Sequence, residues 1–229
     1  LIQVDAGEIT HMLADRTAGR LTIDDQKITV NPAGSITVDT ANDLSGITTG
    51  VLTATIDPTE TVGELATLSA DGGTNKLTIT IRAEDATAAT AGQLNTINDA
   101  TATAVNLTNV TALAASSLAD LGTLATAISN DEFSNATGLT TIAVSDTTID
   151  ATALAARIDS YDTINGDATT GMTLASEATI NVDADEVAHL LADESGNRLT
   201  ISDQKITVTN AITVDNANLL GATTTGKLT

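Results

Sequence analysis

The last fifty residues of the chain repeat its first fifty. Residues 2–30 return as residues 180–208, and residues 35–53 return as residues 211–229 after a deletion of two residues; 31 of these 48 paired positions are identical. Long-period self-similarity of this kind is the signature of tandem-repeat proteins, in which each repeat buries its apolar face against its neighbours. The chain therefore covers a little more than one period, about 178 residues, of a long repeat.

The repeat defines the predicted domain organisation. We expect residues 1–229 to form one continuous repetitive assembly rather than separate globular domains. Within it, residues 2–53 are the start of the first copy, residues 54–179 the remainder of that period, and residues 180–229 the start of the second copy.

A shorter and less regular pattern runs inside the long repeat. Each unit of this shorter pattern, which we call a module, consists of a short strand with alternating apolar residues, a polar helix cap, a helix of two or three turns and a polar turn. The best example begins with Ile180 and Val182 on one face of a strand and continues with Val187 and Leu190 on one face of a helix. Helix caps are predicted, because these side chains accept backbone N–H bonds, at Asp5, Asp39, Asp57, Asp85, Ser117, Asp150, Asp183 and Asp215.

The modules predict an α/β fold with parallel strands. Hydrophobic residues make up 41% of the chain, but only Phe133 and Tyr161 are aromatic, which favours a thin and regular core. Tight hairpin turns are not signalled between successive strands, so the strands should pair in parallel through helical crossovers. We expect a repeat solenoid with parallel strands on one wall, short helices on one side and right-handed winding. The alternative is a doubly wound α/β globule, although its strands should be continuously apolar rather than alternating.

The charge of the chain argues against several classes of partner. There are 30 acidic and 9 basic residues, a formal net charge of −21, and no cysteine. An acidic surface repels nucleic acid and anionic membranes, and no apolar run approaches the length of a membrane span. We therefore expect no nucleic-acid partner, no membrane insertion and neither disulfides nor thiolate metal sites.

The metal hypothesis that the acidic residues suggest is calcium. Calcium prefers oxygen ligands, and the candidate ligands are Asp24, Asp25, Asp183, Asp185 and Glu186. A solvated acidic surface and helix capping account for the same residues without a metal, and no EF-hand loop is present. The segment Asp71-Gly72-Gly73 resembles one turn of a Gly/Asp calcium repeat but is a single occurrence. We expect no obligatory cofactor and leave calcium as a possibility.

Catalysis is not predicted. Glu8 and His11 recur as Glu186 and His189, and residues three apart on a helix share a face. This pair is only half of a zinc ligand set, and the duplication by itself explains its recurrence. No nucleophile motif accompanies either histidine, so we expect a non-enzymatic protein without catalytic residues.

Three segments carry a family resemblance: residues 41–56 (ANDLSGITTGVLTATI), 94–108 (LNTINDATATAVNLT) and 217–229 (ANLLGATTTGKLT). Their short A-x-x-L helix, TTG turn and following strand resemble the tandem repeats of very large secreted surface proteins of bacteria, marine cyanobacteria especially. The resemblance implies an extracellular or cell-surface location and an adhesive, sheath, filament or motility-related role.

The sequence favours a structural function. We expect a stiff acidic rod, fibre or stalk whose partner is itself, either neighbouring repeats of one long chain or stacked subunits. The alternative is a calcium-dependent adhesin that binds a surface or a glycan.

Overall fold

The computed structural model describes residues 1–69, 74–166 and 170–229 as a mixed α/β structure. The predicted Asp71-Gly72-Gly73 calcium turn lies outside these residues. The strands are β1 Ile2–Val4, β2 Ile28–Val30, β3 Ser35–Ile36, β4 Leu52–Ile56, β5 Lys76–Thr78, β6 Val105–Asn106, β7 Ala112–Ser116, β8 Phe133–Ser134, β9 Thr141–Val144, β10 Thr148–Asp150, β11 Gly171–Leu174, β12 Thr179–Val182, β13 Leu199–Thr200 and β14 Lys205–Val208. The helices are α1 Ile9–Thr17, α2 Val38–Ser45, α3 Val62–Leu65, α4 Ala91–Asp99, α5 Leu118–Ser129, α6 Ala151–Asn165, α7 Val187–Ser195 and α8 Val214–Thr223.

The chain divides into two compact units. The first unit contains Leu1–Ala86, Gln93–Asn109 and Asn130–Asn135, and the second contains Thr87–Gly92, Val110–Ser129 and Ala136–Thr229. The first unit holds a five-stranded sheet, in the order β1-β2-β4-β3 with β5 on β4, and the β6-β8 pair. The second unit holds the sheets β10-β12-β14 and β13-β11-β9-β7.

Every strand pair in the described residues is parallel, and none of these sheets closes into a barrel. In the first unit Ile2 pairs with Ile28, and Ile28 pairs in turn with Leu52; α1 and α2 lie between these strands in the chain. In the second unit Thr141 pairs with Gly171 across α6. The prediction of an α/β fold with parallel strands is confirmed. The solenoid with helices on one side, its right-handed winding and the doubly wound alternative remain predictions.

The core follows the alternation of the strands. In β4, Leu52, Ala54 and Ile56 are buried, and the threonines between them are half-buried. Threonine is well suited to this position because it is β-branched and packs on a pleated surface. The helices contribute the apolar faces expected from their spacing, and the buried residues include Val62, Leu65, Leu68, Leu94, Ile97, Leu121, Leu124, Leu154, Ile158 and Tyr161.

The predicted helix caps are correct at two positions. The Asp150 carboxylate accepts the Ala153 N–H at 3.0 Å, and the Ser117 hydroxyl accepts the Asp120 N–H at 3.0 Å. Elsewhere a threonine takes the capping position. Thr37 caps α2 and Thr213 caps α8, so the predicted caps Asp39 and Asp215 lie instead in the first helical turn. An acid there is favoured by the positive end of the helix dipole.

Four further predicted caps are wrong in detail. Thr61 caps α3, and Asp57 accepts hydrogen bonds within the preceding turn. The side chains of Asp5 and Asp183 make no cap and instead bind polar residues that follow the neighbouring strand of the same sheet, β2 for Asp5 and β14 for Asp183. The predicted cap Asp85 accepts instead the first N–H of α3, in the module before it. Asp5, Asp85 and Asp183 thus connect successive modules, which a cap prediction from local sequence does not anticipate.

None of the described helices is both long enough and apolar enough to cross a bilayer.

Candidate functional site: the contacts between successive modules

The predicted calcium ligands fall into two separate groups. Asp24 and Asp25 lie in the first unit, in the turn between Ile23 and β2, and the other three lie in the second unit. The main-chain oxygen of Asp24 accepts the Thr49 N–H at 2.8 Å, and the Asp25 carboxylate accepts a hydrogen bond from Gln26. Both residues are therefore part of the turn structure.

Asp183, Asp185 and Glu186 lie between β12 and α7. The Asp183 N–H donates to the Glu186 carboxylate at 3.1 Å, and the Asp183 carboxylate accepts the Thr209 hydroxyl and, at 3.4 Å, the Asn210 amide. Across the described residues no group of three or more His, Cys, Asp or Glu side chains is arranged to hold a metal ion. Calcium binding stays a prediction.

Asp185 and Glu186 do line a cavity of about 310 Å³ between α6 and α7, together with Asp159, His189 and Asp193. The nearest His189 and Asp193 side-chain atoms, Nε2 and Oδ1, are 4.0 Å apart. Two of these acids, Asp159 and Asp193, bind Arg198, which is not among the site residues predicted from the sequence.

Arg198 connects two successive helices of the second unit. Its guanidinium donates to Asp193 of α7 at 3.0 Å and to Asp162 and Asp159 of α6 at 2.6 and 2.7 Å. The Asp193 side chain is only 2% exposed and that of Arg198 is 21% exposed. One cation therefore neutralises carboxylates from two modules. Its contacts with the buried Asp193 and the half-buried Asp162 lie in a water-poor environment, where such contacts are strongest, whereas the Asp159 side chain is 58% exposed.

The ionisation of this cluster reflects its burial. Burial raises the pKa of Asp193, while the positive charge of Arg198 opposes the rise. Burial lowers the pKa of Arg198, but the hydrogen bond to Asp159 and the charges of Asp162 and Asp193 outweigh it, so that the pKa of Arg198 is raised overall. Arg198 is thus held in its charged form by the neighbouring module.

The duplication supplies a natural comparison for Arg198. The equivalent pair in the first copy is Arg20 and Asp15, which form a salt bridge with side-chain exposures of 69% and 48%. Among the described residues, no helix in the position of α6 contributes carboxylates to the Arg20–Asp15 pair. The same two residues are therefore an exposed ion pair in one copy and a buried contact between modules in the other.

A second kind of contact satisfies helix N-termini across modules. The N–H groups at the start of a helix have no partner within that helix. The first N–H of α2 donates to Glu60 at 3.1 Å, that of α3 to Asp85 at 2.7 Å, and that of α5 to Asp146 at 2.7 Å. Each acid lies 22 to 28 residues further along the chain, so one module caps the helix of the module before it.

Asp85 shows how such a cap is fixed. Asp85 is 7% exposed, and the Arg82 guanidinium donates to its carboxylate at 2.9 Å. Hydrogen bonding to Asp85 is the main cause of a raised pKa at Arg82. The arginine compensates for burying a charged helix cap.

A third kind of contact uses buried amide and hydroxyl groups. The Asn75 side chain accepts the Leu52 N–H at 2.9 Å, and the Thr101 hydroxyl accepts the Leu77 N–H at 2.9 Å. Asn75 and Thr101 are 2% and 6% exposed. These side chains extend the strand pairing because each supplies an acceptor for a buried backbone N–H of the module before it.

Thr101 allows a direct test of these polar contacts. We expect Thr101→Val to destabilise the first unit by about 2 kcal/mol, because it leaves the Leu77 N–H buried without its acceptor. Thr101→Ser keeps the hydroxyl and should cost less. Urea unfolding followed by circular dichroism measures both variants, and equal losses for valine and serine would contradict the assigned role of the hydroxyl.

No known protein family, curated protein or solved structure matches the chain.

These contacts could have been recognised only in part from the sequence. The repeated pairs Asp15/Arg20 and Asp193/Arg198 keep the same spacing in both copies, which indicates a structural pair. The acids of α6 that complete the Arg198 cluster lie outside the duplicated segments.

Proposed function

We propose that the chain is a segment of a structural repeat protein, in which modules stack in a solenoid to form a stiff acidic rod, fibre or stalk. Its chemistry is that of assembly, with no reaction at any site. We further propose that the rod is extracellular or at the cell surface, in line with the sequence resemblance, and that its principal partner is more of itself.

The observation that carries this proposal is the different burial of identical residues in the two copies. Arg198 and Asp193, which follow α6, are largely buried, whereas Arg20 and Asp15 are exposed. At the other end of the duplicated segment, Val38 is 2% exposed and its counterpart Val214 is 75% exposed. Such a difference is expected when each module is completed by its neighbours, as in stacked repeats.

The strand pairing supports the same conclusion. Paired residues are separated in the chain by about the length of one module, as for Ser35 with Thr55 and for Thr148 with Thr179. The contacts between modules pair buried acids with helix N-termini and with arginine, so stacking depends on defined hydrogen bonds as well as on apolar burial. The remaining acidic surface keeps such a rod soluble and disfavours lateral association.

The test is to vary the number of repeats. Residues 2–179 would be expressed as one, two and three tandem copies, and the maximum dimension of each protein measured by small-angle X-ray scattering. The described part of residues 2–179 contains six α-helices and hence six modules. If each module adds one strand spacing of about 4.8 Å, the maximum dimension should increase by about 29 Å for every added repeat.

The doubly wound globule predicts a different result. The radius of gyration of a compact chain grows with roughly the 0.38 power of the number of residues. Doubling the number of residues would therefore enlarge every dimension of the protein by only about a third. Growth of that kind would refute the rod. Antibody labelling of intact source cells tests the proposed location, and labelling only after lysis would refute it.

A further inference from the structure

One face of the second copy is apolar and uncovered. It is formed by the start of α8 and the segments on either side of it, and we call it the terminal face. Val214 is 75% exposed, and Ile212, Ala217 and Leu228 are half-buried. Large apolar side chains left exposed next to each other on a folded surface indicate a site of association.

The first copy shows what covers this face. The counterparts of these four residues are Ile36, Val38, Ala41 and Leu52, with exposures of 4%, 2%, 1% and 0%. Ile36 pairs in parallel with Ile56 of β4. In the first copy, the residues that correspond to the terminal face are therefore buried by the module that begins in β4 and continues through α3.

Polar contacts in the first copy define how that module is placed. The Val38 N–H donates to Glu60 at 3.1 Å, and the Leu52 N–H donates to Asn75 at 2.9 Å. The Asn42 side chain donates to the Thr67 carbonyl at 3.0 Å and accepts the Ser69 N–H at 2.8 Å. Four hydrogen bonds at three positions set one register between the two modules.

The terminal face retains the side chains and backbone positions used in these four hydrogen bonds, although Ser45, to which the Asn75 amide also donates at 3.0 Å, is replaced there by Gly221. Val214, Asn218 and Leu228 are identical to Val38, Asn42 and Leu52. Thr213 caps α8 through the Asn216 N–H at 3.2 Å, as Thr37 caps α2 through the Thr40 N–H at 3.2 Å. The helix that presents the face is therefore already formed before anything covers it.

We propose that the terminal face is a docking surface for a further copy of the β4–α3 module, residues 54–69 followed by Asn75, continuing the same polypeptide. The copied Glu60 accepts the Val214 N–H, the copied Asn75 accepts the Leu228 N–H, and Asn218 binds the backbone at the copied Thr67 and Ser69. This inference rests on the proposed rod and adds to it a specific order of modules.

The experiment joins a module directly after Thr229 of the full chain. The matched extension is residues 54–86, and the mismatched extension, of equal length, is residues 146–178. Hydrogen exchange at the Val214 and Leu228 amides is compared with that of the unextended chain. We expect the matched extension to slow exchange at both amides at least about tenfold and the mismatched extension to leave them unchanged.

Two variants of the matched extension test the register. Glu60→Ala in the appended copy alone should restore fast exchange at Val214 and leave Leu228 protected. Asn75→Ala in the appended copy should do the reverse. Loss of protection at both amides in either variant would mean that the appended module failed to fold. In that case the appended copy would instead carry Glu60→Gln and Asn75→Asp together, which keeps an acceptor at each position. If the proposal holds, both amides should remain protected in this double variant.

The remaining outcomes separate the two proposals. Equal protection by matched and mismatched extensions overturns the specific order of modules while leaving a stacked rod intact. Absence of protection with either extension overturns docking at this face, and the repeat-number experiment decides independently whether the rod survives. Protection of Val214 in the unextended chain that increases with protein concentration would show that a second molecule covers the face, which overturns a covalently continuous neighbour.

Discussion

Replacing Arg198 by glutamine is expected to destabilise the second unit by about 3 kcal/mol. The substitution leaves three carboxylates, those of Asp159, Asp162 and Asp193, close together without their shared cation, and that of Asp193 is almost fully buried. Removing one partner of a buried ion pair is costly because the remaining charge is left without compensation. Urea unfolding followed by circular dichroism measures the loss, and hydrogen exchange in α7 assigns it to this unit.

The duplicated position provides the matched control. Arg20→Gln removes the corresponding arginine from an exposed pair, and such pairs contribute at most about 1 kcal/mol. Equal losses at the two positions would contradict a role for the neighbouring module. Adding Asp162→Asn and Asp193→Asn to the Arg198→Gln variant should recover part of the loss, because it removes the like charges that the arginine had compensated.

The loss caused by Arg198→Gln should also depend on pH. Without the arginine, burial and the charges of Asp159 and Asp162 raise the pKa of Asp193 further in the folded state, so the folded protein binds more protons than the unfolded chain. Stability of the variant must then fall as pH rises through the raised pKa of Asp193. The difference from the unmodified protein should be largest near neutral pH and shrink towards pH of about 4.

Replacing Gly50 by alanine should have the second large effect. A Cβ at Gly50 would lie within 3.0 Å of the backbone of Asp25 and Gln26 in the preceding module. Because these are main-chain atoms, the modules would have to move apart, and we expect a loss of about 2–3 kcal/mol from overpacking. Differential scanning calorimetry or urea unfolding measures it.

Two glycines of the second copy serve as controls that distinguish this steric clash from the general effect of replacing a glycine. Gly226 approaches the backbone of Gln204 in the same way, but it belongs to the uncovered end of the chain. Gly226→Ala should therefore loosen the pairing of the last residues with β14 locally, seen as faster exchange at the Thr229 amide, which donates to the Ile206 carbonyl at 2.9 Å. Gly221, inside α8, has open space around it, and Gly221→Ala should stabilise that helix by about 0.5–1 kcal/mol. Destabilisation by all three changes would refute the steric explanation.

Much of the fold could be predicted from local patterns. The alternation in residues 52–56 and the spacing of Leu154, Ile158 and Tyr161 correctly indicated which faces are buried, because strand and helix periods are short-range properties of the chain. The candidate site was harder to predict. The predicted calcium ligands Asp24, Asp25, Asp183, Asp185 and Glu186 were chosen for their charge. The most buried ion pair in the described residues is instead that of Arg198 and Asp193.

The sequence by itself determined the repeat, the α/β class and the parallel pairing, since duplication, side-chain alternation and the absence of hairpin turns are all visible along the chain. Only the tertiary structure decided which polar groups meet. Arg198 binds Asp159, 39 residues away, and Val38 donates to Glu60, 22 residues away. Contacts at such separations depend on the register between modules. That register also explains why Val38 is buried and its identical counterpart Val214 is exposed: the difference lies in the neighbouring module and not in the residue.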